Sequence, residues 1–409
     1  MRNPRLGHLP EYAFPRLRAL LDGIAAGQDP IDMTIGEPRH GMPDFVADIL
    51  VSDPKAYGKY PPIGGTPEWC AAVSGWLTRR YGLGTGMIDP ARHVLPLNGT
   101  REGLFSITFV TVPPEKQGQR PLVLMPNPFY QCYTAAALAA GADPVYVAAT
   151  RETGFMPDFA GLGEATLGRS SLVYLCSPAN PQGAVASPGY LRELIALARQ
   201  HDFVLAVDEC YAEIYGDVPP TGALEVCQAI ASEDPRYAED PFANVLVFHS
   251  LSKRSSLPGL RSGFVAGDPQ LIADFRLFRN YIGPASPLPT YAAAAAAWND
   301  ETHVEANRDL YRAKFDLAAR ILGNRFGFYR PAGGFFLWLD VSATRHGDGE
   351  TAALALWREA GVRVLPGAYL SQDGADGVNP GRDYVRVALV DDLQTTERGL
   401  LRLAETLGS

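Results

Sequence analysis

Ser250-Leu251-Ser252-Lys253-Arg254-Ser255-Ser256-Leu257-Pro258-Gly259-Leu260-Arg261-Ser262-Gly263 follows directly on the apolar run Asn244-Val245-Leu246-Val247-Phe248-His249. A run of that length bounded by turn residues reads as a buried strand. The stretch therefore sets one lysine among hydroxyls at a strand end, with an arginine eight residues on. The chain holds five lysines, Lys55, Lys59, Lys116, Lys253 and Lys314, against 31 arginines, so Lys253 stands apart from routine surface charge. A solvated lysine in a serine-rich turn is the ordinary reading of such a stretch taken alone. The functional one is that an amine for a Schiff base, hydroxyls and a permanently charged guanidinium serve an aldehyde cofactor with a phosphate arm, which points to pyridoxal phosphate.

Outward from this stretch, short apolar runs alternate with segments of helical period from about residue 70 to 290, the pattern of an α/β fold with a mainly parallel sheet. Seven strands are expected, at His93-Leu97, Leu122-Met125, Pro144-Val147, Leu172-Cys176, Phe203-Val207, Val245-His249 and Gly263-Ala266, with helices at Thr100-Val110, Gln131-Ala140 and Pro188-Gln200. Pro289 to Arg325 reads as one long helix leading out of the sheet. Beyond it, Gly334-Asp340, Val362-Leu365 and Tyr384-Ala388 with helix Thr351-Glu359 suggest a smaller α/β domain, and Asp373 to Arg382 an exposed loop. The expected division is an N-terminal segment, 1–40, packing with the small domain, a large domain at 41–300 and the small domain at 301–409.

With 409 residues and 46% hydrophobic content the chain can bury a large core. A net charge of −9 argues against nucleic acid or anionic membrane as the main partner. No apolar run approaches the ~20 residues of a membrane span, and the start lacks the apolar core of a secretory signal, so a cytoplasmic protein is expected. Cys70, Cys132, Cys176, Cys210 and Cys227 have no CxxC spacing and the seven histidines form no HxxxH pair, which favours reduced thiols and no metal. No GxGxxG occurs.

Ligands of parallel sheets sit beyond the carboxyl ends of strands, so the residues there are the candidates. Asn98-Gly99-Thr100-Arg101 is a glycine turn opening a helix, whose free N–H groups suit an anion; an ordinary turn with an N-cap has the same composition. Phe129 and Tyr130 offer rings that stack on a flat heterocycle, although buried aromatics usually belong to the core. In Cys176-Ser177-Pro178-Ala179-Asn180-Pro181-Gln182-Gly183, Asn180 can donate to a ring oxygen, and Asn-Pro is also a common turn. Val204-Leu205-Ala206-Val207-Asp208-Glu209-Cys210-Tyr211 ends a strand in two carboxylates and a tyrosine. A carboxylate against a pyridine nitrogen keeps it protonated. Magnesium is the alternative ligand, but the chain has no GxxxxGK[ST].

The SxSKxxxxPGxRxG stretch, the Asp-Glu-x-Tyr strand end and the SPxNPxG turn, in this chain order, resemble the class I/II aminotransferases of the aspartate-aminotransferase-like fold, fold type I of the pyridoxal-phosphate enzymes. The resemblance covers nearly the whole chain. It implies that Lys253 binds the cofactor covalently and shuttles the substrate proton, that Asp208 pairs with the ring nitrogen, and that Tyr211 and Asn180 bond the ring hydroxyl. It further assigns the phosphate to Gly99, Thr100, Arg101, Ser250, Ser252 and Arg261, and ring stacking to Tyr130 with Phe129 left open. Tyr60 resembles the tyrosine that reaches the phosphate of the neighbouring subunit, implying a homodimer. Gly36 in Ile35-Gly36-Glu37-Pro38 resembles the loop that closes on substrate, and Arg386 in Tyr384-Val385-Arg386-Val387-Ala388 the clamp on the α-carboxylate of amino-acid and 2-oxo-acid substrates.

The opening Asn3-Pro4-Arg5-Leu6, the segment Leu9 to Leu21, Ile35 to His40 and Pro126 to Gln131 are similar to the proteobacterial succinyldiaminopimelate aminotransferases of lysine and cell-wall synthesis. This implies N-succinyl-L,L-2,6-diaminopimelate and 2-oxoglutarate as substrates. Tyr281-Ile282-Gly283 stands where the aspartate enzymes place an arginine. Arg39, Lys59 and Arg254 are candidates for distal contacts by nearness in sequence, each with an ordinary reading as a solvated charge. Three alternatives remain: an aminotransferase for an aromatic amino acid, alanine or aspartate; a cysteine-conjugate β-lyase; and a regulator that binds pyridoxal phosphate as a ligand.

Overall fold

Val204–Asp208, a strand with no exposed residue, runs near the middle of a seven-stranded sheet. The computed structural model describes residues 7, 9–374 and 377–408, so Asn3 to Leu6 of the resemblance above lie outside the described residues. The strand order is Val94–Leu97, Gly263–Gly267, Val245–Ser250, Val204–Asp208, Ser170–Cys176, Leu122–Asn127 and Asp143–Ala148. Gly263–Gly267 runs antiparallel to both neighbours and the other pairings are parallel. All seven expected strands are present, with ends within two residues of expectation.

The apolar runs are uninterrupted because both sheet faces are covered. Alternation divides the side chains: Leu205, Val207 and Val247 join a core with Trp69, Trp76 and Trp298, whereas Ala206, Leu246 and Phe248 join one with Leu104, Tyr133 and Phe275. Covering helices begin at legible signals. Thr66 caps Pro67–Tyr81 by accepting from Trp69 N, and Ser187 caps Pro188–His201 by accepting from Tyr190 N, each with proline in the first turn.

A three-stranded antiparallel sheet of Leu365–Pro366, Tyr384–Ala388 and Phe336–Asp340 lies apart from the large one, and Ile31–Asp32 pairs in parallel with Val362–Arg363. A separate core containing Ile31, Met33, Phe315, Leu337, Val385 and Leu400 accompanies them. Two expectations are corrected. The long helix from Pro289 is two, Leu288–Asn299 and Thr302–Leu322, because the Asp300 carboxylate accepts from His303 N at 3.0 Å and starts a new helix. The strand Val362-Leu365 is split, since the chain changes partner after Arg363 and Leu365 pairs with Arg386. Among the described residues, no helix is long and apolar enough to cross a membrane.

Candidate active site

The carboxyl ends of the parallel strands open into a cavity of about 460 Å³. Strand Val204–Asp208 delivers Asp208 and, three residues on, Tyr211; strand Ser170–Cys176 delivers Asn180; strand Val245–Ser250 delivers Ser250, Ser252 and Lys253. Because Gly263–Gly267 runs the opposite way, its amino end brings Arg261 to the same edge. Thr100 and Arg101 arrive from the turn after Val94–Leu97. From the other sheets come Arg386 and Phe336, with Gly36 and the Tyr12-Ala13-Phe14 segment closing the space.

Lys253 donates from Nζ to the Gly36 carbonyl, and burial pulls its amine down from the usual lysine value to about 8. Arg386 donates from Nη2 to Thr34 O at 2.7 Å and from Nη1 to Asn180 Oδ1 at 3.1 Å. Its guanidinium lies 4.3 Å from the Phe336 ring centroid, and burial lowers it to about 10. Asp208, 4% exposed, accepts from Tyr133 Oη at 2.9 Å and from Cys210 N at 3.3 Å. Burial raises its carboxyl, and these donors oppose the rise.

Ser250 caps the short helix Leu251–Arg254 by accepting from Ser252 N at 3.1 Å, which fixes the Ser250 hydroxyl at the strand end where Lys253 enters the cavity. Arg261 has a left-handed backbone (φ +53°) and donates to Pro258 O at 2.8 Å and Asn98 O at 3.1 Å. Gly99 (φ +83°) lies beneath that guanidinium, in the space that a Cβ on Gly99 would take. Tyr130 is half-buried and its hydroxyl accepts from Arg101 Nε; Phe129 also lines the cavity and is packed 5.0 Å from the Tyr146 ring.

The structure thus brings Gly36, Thr100, Arg101, Tyr130, Asn180, Asp208, Tyr211, Ser250, Ser252, Lys253, Arg261 and Arg386 to one cavity, with Gly99 directly behind. Tyr60 stands elsewhere, its side chain fully exposed. None of the three distal-contact candidates lines the cavity of its own chain. Arg254 is buried against the paired Trp76 and Trp298 rings, donating to Ala297 O at 2.6 Å and Glu301 at 2.7 Å. Arg39 pairs with Asp391, and Lys59 is exposed. Glu209 also turns away, accepting from Tyr81 Oη and Ala223 N at 2.8 Å each.

Sequence reasoning gave no role to Tyr133, Cys210, Phe336 or Phe14. Tyr133 carried a signal, lying three residues after Tyr130 at the start of helix Gln131–Ala140. Phe14 and Phe336 come from distant segments with no shared pattern.

A family model described as aminotransferase class I and II matches residues 28–397. The chain is 34% identical to 4-dedimethylamino-4-oxo-anhydrotetracycline transaminase OxyQ of Streptomyces rimosus over 93% of this chain and 95% of that protein. It is 30% identical to the LL-diaminopimelate aminotransferase of Desulforudis audaxviator over 99% and 97%. An aminotransferase structure from Neisseria meningitidis superposes with a TM-score of 0.91 at 38% identity, covering 99% of this chain and 100% of that one. The probable N-succinyldiaminopimelate aminotransferase of Thermus thermophilus gives 0.81 at 25% identity, covering 97% and 100%. The architecture is the aspartate-aminotransferase-like α/β fold.

Proposed function

Because the chain belongs to the class I and II aminotransferases, which depend on pyridoxal 5'-phosphate, we propose that it acts on N-succinyl-L,L-2,6-diaminopimelate in the cytoplasm. Its amino group passes to 2-oxoglutarate, giving N-succinyl-2-amino-6-oxopimelate and glutamate, a step of lysine and diaminopimelate synthesis. The observation that carries aminotransfer is the convergence of a buried amine (Lys253), a buried carboxylate (Asp208) and a buried guanidinium (Arg386) on one cavity.

These residues fit the cofactor. Lys253 presents its amine with a backbone carbonyl as hydrogen-bond partner, Arg386 Nε is a buried donor without a partner among the described residues, and the bare Gly99 turn lets the Arg261 guanidinium lie close to the backbone. Bound there, the cofactor supplies an aldehyde that links to amines and a ring that takes up the electron pair of the broken Cα–H bond. Lys253 Nζ would hold it covalently and, once freed, would take the substrate's α-proton and deliver it to the carbon that bore the aldehyde. Asp208 holds a proton on the ring nitrogen. Asn180 and Tyr211 donate to the ring hydroxyl oxygen, and the Tyr130 ring stacks on the heterocycle. The phosphate is held by the amides of Gly99, Thr100 and Arg101, the hydroxyls of Ser250 and Ser252, and Arg261. Arg386 clamps the α-carboxylate and so orients the Cα–H bond, and Gly36 keeps the loop against Lys253. Tyr60, fully exposed on its own chain, completes the phosphate site of a second copy in a homodimer.

The substrate assignment is supported by the relative and the structure whose names carry diaminopimelate, and by the apolar wall of Phe14, Ile35, Leu365 and Leu370, which suits a methylene chain. Unsuccinylated L,L-diaminopimelate is the second reading, favoured by the 30% identical relative. A single-turnover absorbance titration of the holoenzyme with both compounds, glutamate, aspartate and an aromatic amino acid tests this. Loss of the lysine-bound cofactor band at low succinyldiaminopimelate and glutamate is expected. Loss with unsuccinylated diaminopimelate alone transfers the assignment to it, and loss only with another donor removes the pathway.

A further inference from the structure

Asp208 is an ionisable group at the bottom of the cavity, where burial raises its carboxyl toward the neutral form. A neutral acid would not hold a proton on a ring nitrogen, so something has to favour the carboxylate. Two donors reach it. Tyr133 donates from Oη to Oδ2 at 2.9 Å, and Cys210 donates from its backbone N–H to Oδ1 at 3.3 Å. His249, on the neighbouring strand, has its Nε2 2.9 Å from Glu209 Oε2, the other carboxylate of the strand end. Cys132, Tyr174, Cys176 and Tyr211 are the other titratable groups that face it.

The Tyr133 phenol is held for this task. It is fully buried, and its ring stacks on Tyr174 with centroids 4.3 Å apart and planes 8° apart. Tyr174 is anchored in turn by donating to Leu104 O at 2.5 Å. Tyr130 meets the other side of Tyr133 edge-on, at 5.6 Å and 90°. Burial pushes the Tyr133 hydroxyl well above its usual range, so it remains a donor at every working pH. One aromatic stack therefore connects the wall proposed to cover the heterocycle with the carboxylate proposed to face its nitrogen.

We propose that Tyr133, assisted by the backbone N–H of Cys210, is a positioning residue for the transamination: its hydrogen bond keeps Asp208 ionised, and thereby keeps the cofactor's ring nitrogen protonated. The inference rests on the functional reading above. Without the phenol the carboxylate becomes more basic and draws the proton off the ring nitrogen, which weakens the electron sink. The less positive ring in turn lets the attached lysine nitrogen hold its proton to higher pH.

The test is the Tyr133→Phe holoenzyme, which keeps the aromatic stack and removes only the donor, with Cys210→Ala beside it. Hydrogen bonds to charged groups are strong enough that a loss in kcat of between about 10- and 100-fold is expected for Tyr133→Phe, at KM within about twofold. The pH midpoint of the bound cofactor's absorbance should rise by about one unit. Cys210→Ala keeps both the phenol and the backbone N–H on Asp208, so it should leave the midpoint in place; Tyr133→Met, which also lacks a donor, should raise the midpoint like Tyr133→Phe and carries the test if that variant does not fold. An unmoved midpoint overturns the inference even where activity falls, because a merely structural role would lower activity or cofactor retention without moving that titration. Wild-type protein that takes up no pyridoxal phosphate would instead sink the functional reading, and the inference with it.

Discussion

Lys253 and Arg386 meet the same cavity from two different cores, one at a strand end of the seven-stranded sheet and the other within the three-stranded sheet. Burial acts on both cations in the same direction, bringing the lysine to about 8 and the arginine to about 10. The outcomes differ because the side chains do. An ammonium at about 8 gives up its proton within reach of neutral pH, whereas the guanidinium stays charged and presents a planar fork that matches a carboxylate. The sheet side is thus equipped to move a proton and the opposite side to hold a charge. On the proposed reading, the chemistry sits on strand ends fixed by ladder register, while recognition sits on segments that join a separate core.

The strongest way to break this comparison is to exchange the two kinds of cation. Lys253→Arg keeps the charge and places a group that does not deprotonate where a base is required, so it should be as inactive as Lys253→Ala. General acid–base help alone is worth roughly 10² to 10⁴ in rate, and turnover in both variants should fall at least that far. Cofactor retained noncovalently, seen by absorbance after gel filtration, would separate lost chemistry from lost binding. Turnover by Lys253→Arg within about tenfold of wild type would show that the proton moves elsewhere.

The reverse exchange, Arg386→Lys, has a smaller expected effect. A charge remains, but the fork to the α-carboxylate is lost, and the buried ammonium is prone to neutralise. Disturbing a buried, hydrogen-bonded charge pair costs about 2–5 kcal/mol when a partner is truncated outright; the lysine variant should lie toward the lower end, about 30-fold in KM. The loss should be similar for every α-amino acid in a steady-state donor series. A loss confined to one donor would move Arg386 from the common carboxylate to a side-chain contact.

The two walls also differ in how far the sequence reveals them. The sheet side was legible because strands buried on both faces read as continuous apolar runs, and the polar residues that interrupt them at their carboxyl ends are the cavity residues. Arg386 is one guanidinium among 31, and only family resemblance singled it out. Tyr12, Phe14 and Phe336 reach the cavity through tertiary packing that leaves no local period. Nearness in sequence misled where local geometry turns side chains apart. Arg254 follows Lys253 on the helix Leu251–Arg254, but successive helical positions point about 100° apart, and Arg254 packs against two tryptophans. Asp208 and Glu209 diverge in the same manner at the end of an extended strand, one into the cavity and one into the Tyr81 network.

The mildest perturbation is pH, and it sharpens the comparison without touching a residue. In protein stripped of cofactor, covalent capture of pyridoxal phosphate needs the neutral amine of Lys253. Burial has lowered that amine from the usual lysine value to about 8, so the charged form is the one disfavoured, and the neutral fraction grows as pH rises through that value. The capture rate should therefore increase about tenfold between pH 7 and 9 and level off above, as followed by the growth of the lysine-bound absorbance band. An amine left at the ordinary lysine value would instead give close to a 100-fold rise over the same interval, with no plateau. Arg386 stays charged throughout, so noncovalent retention of an α-carboxylate such as that of 2-oxoglutarate should be nearly flat across the range. A steep fall in that retention would mean that the charge-holding wall also titrates, and that the cavity does not divide its work between a cation that yields its proton and one that keeps it.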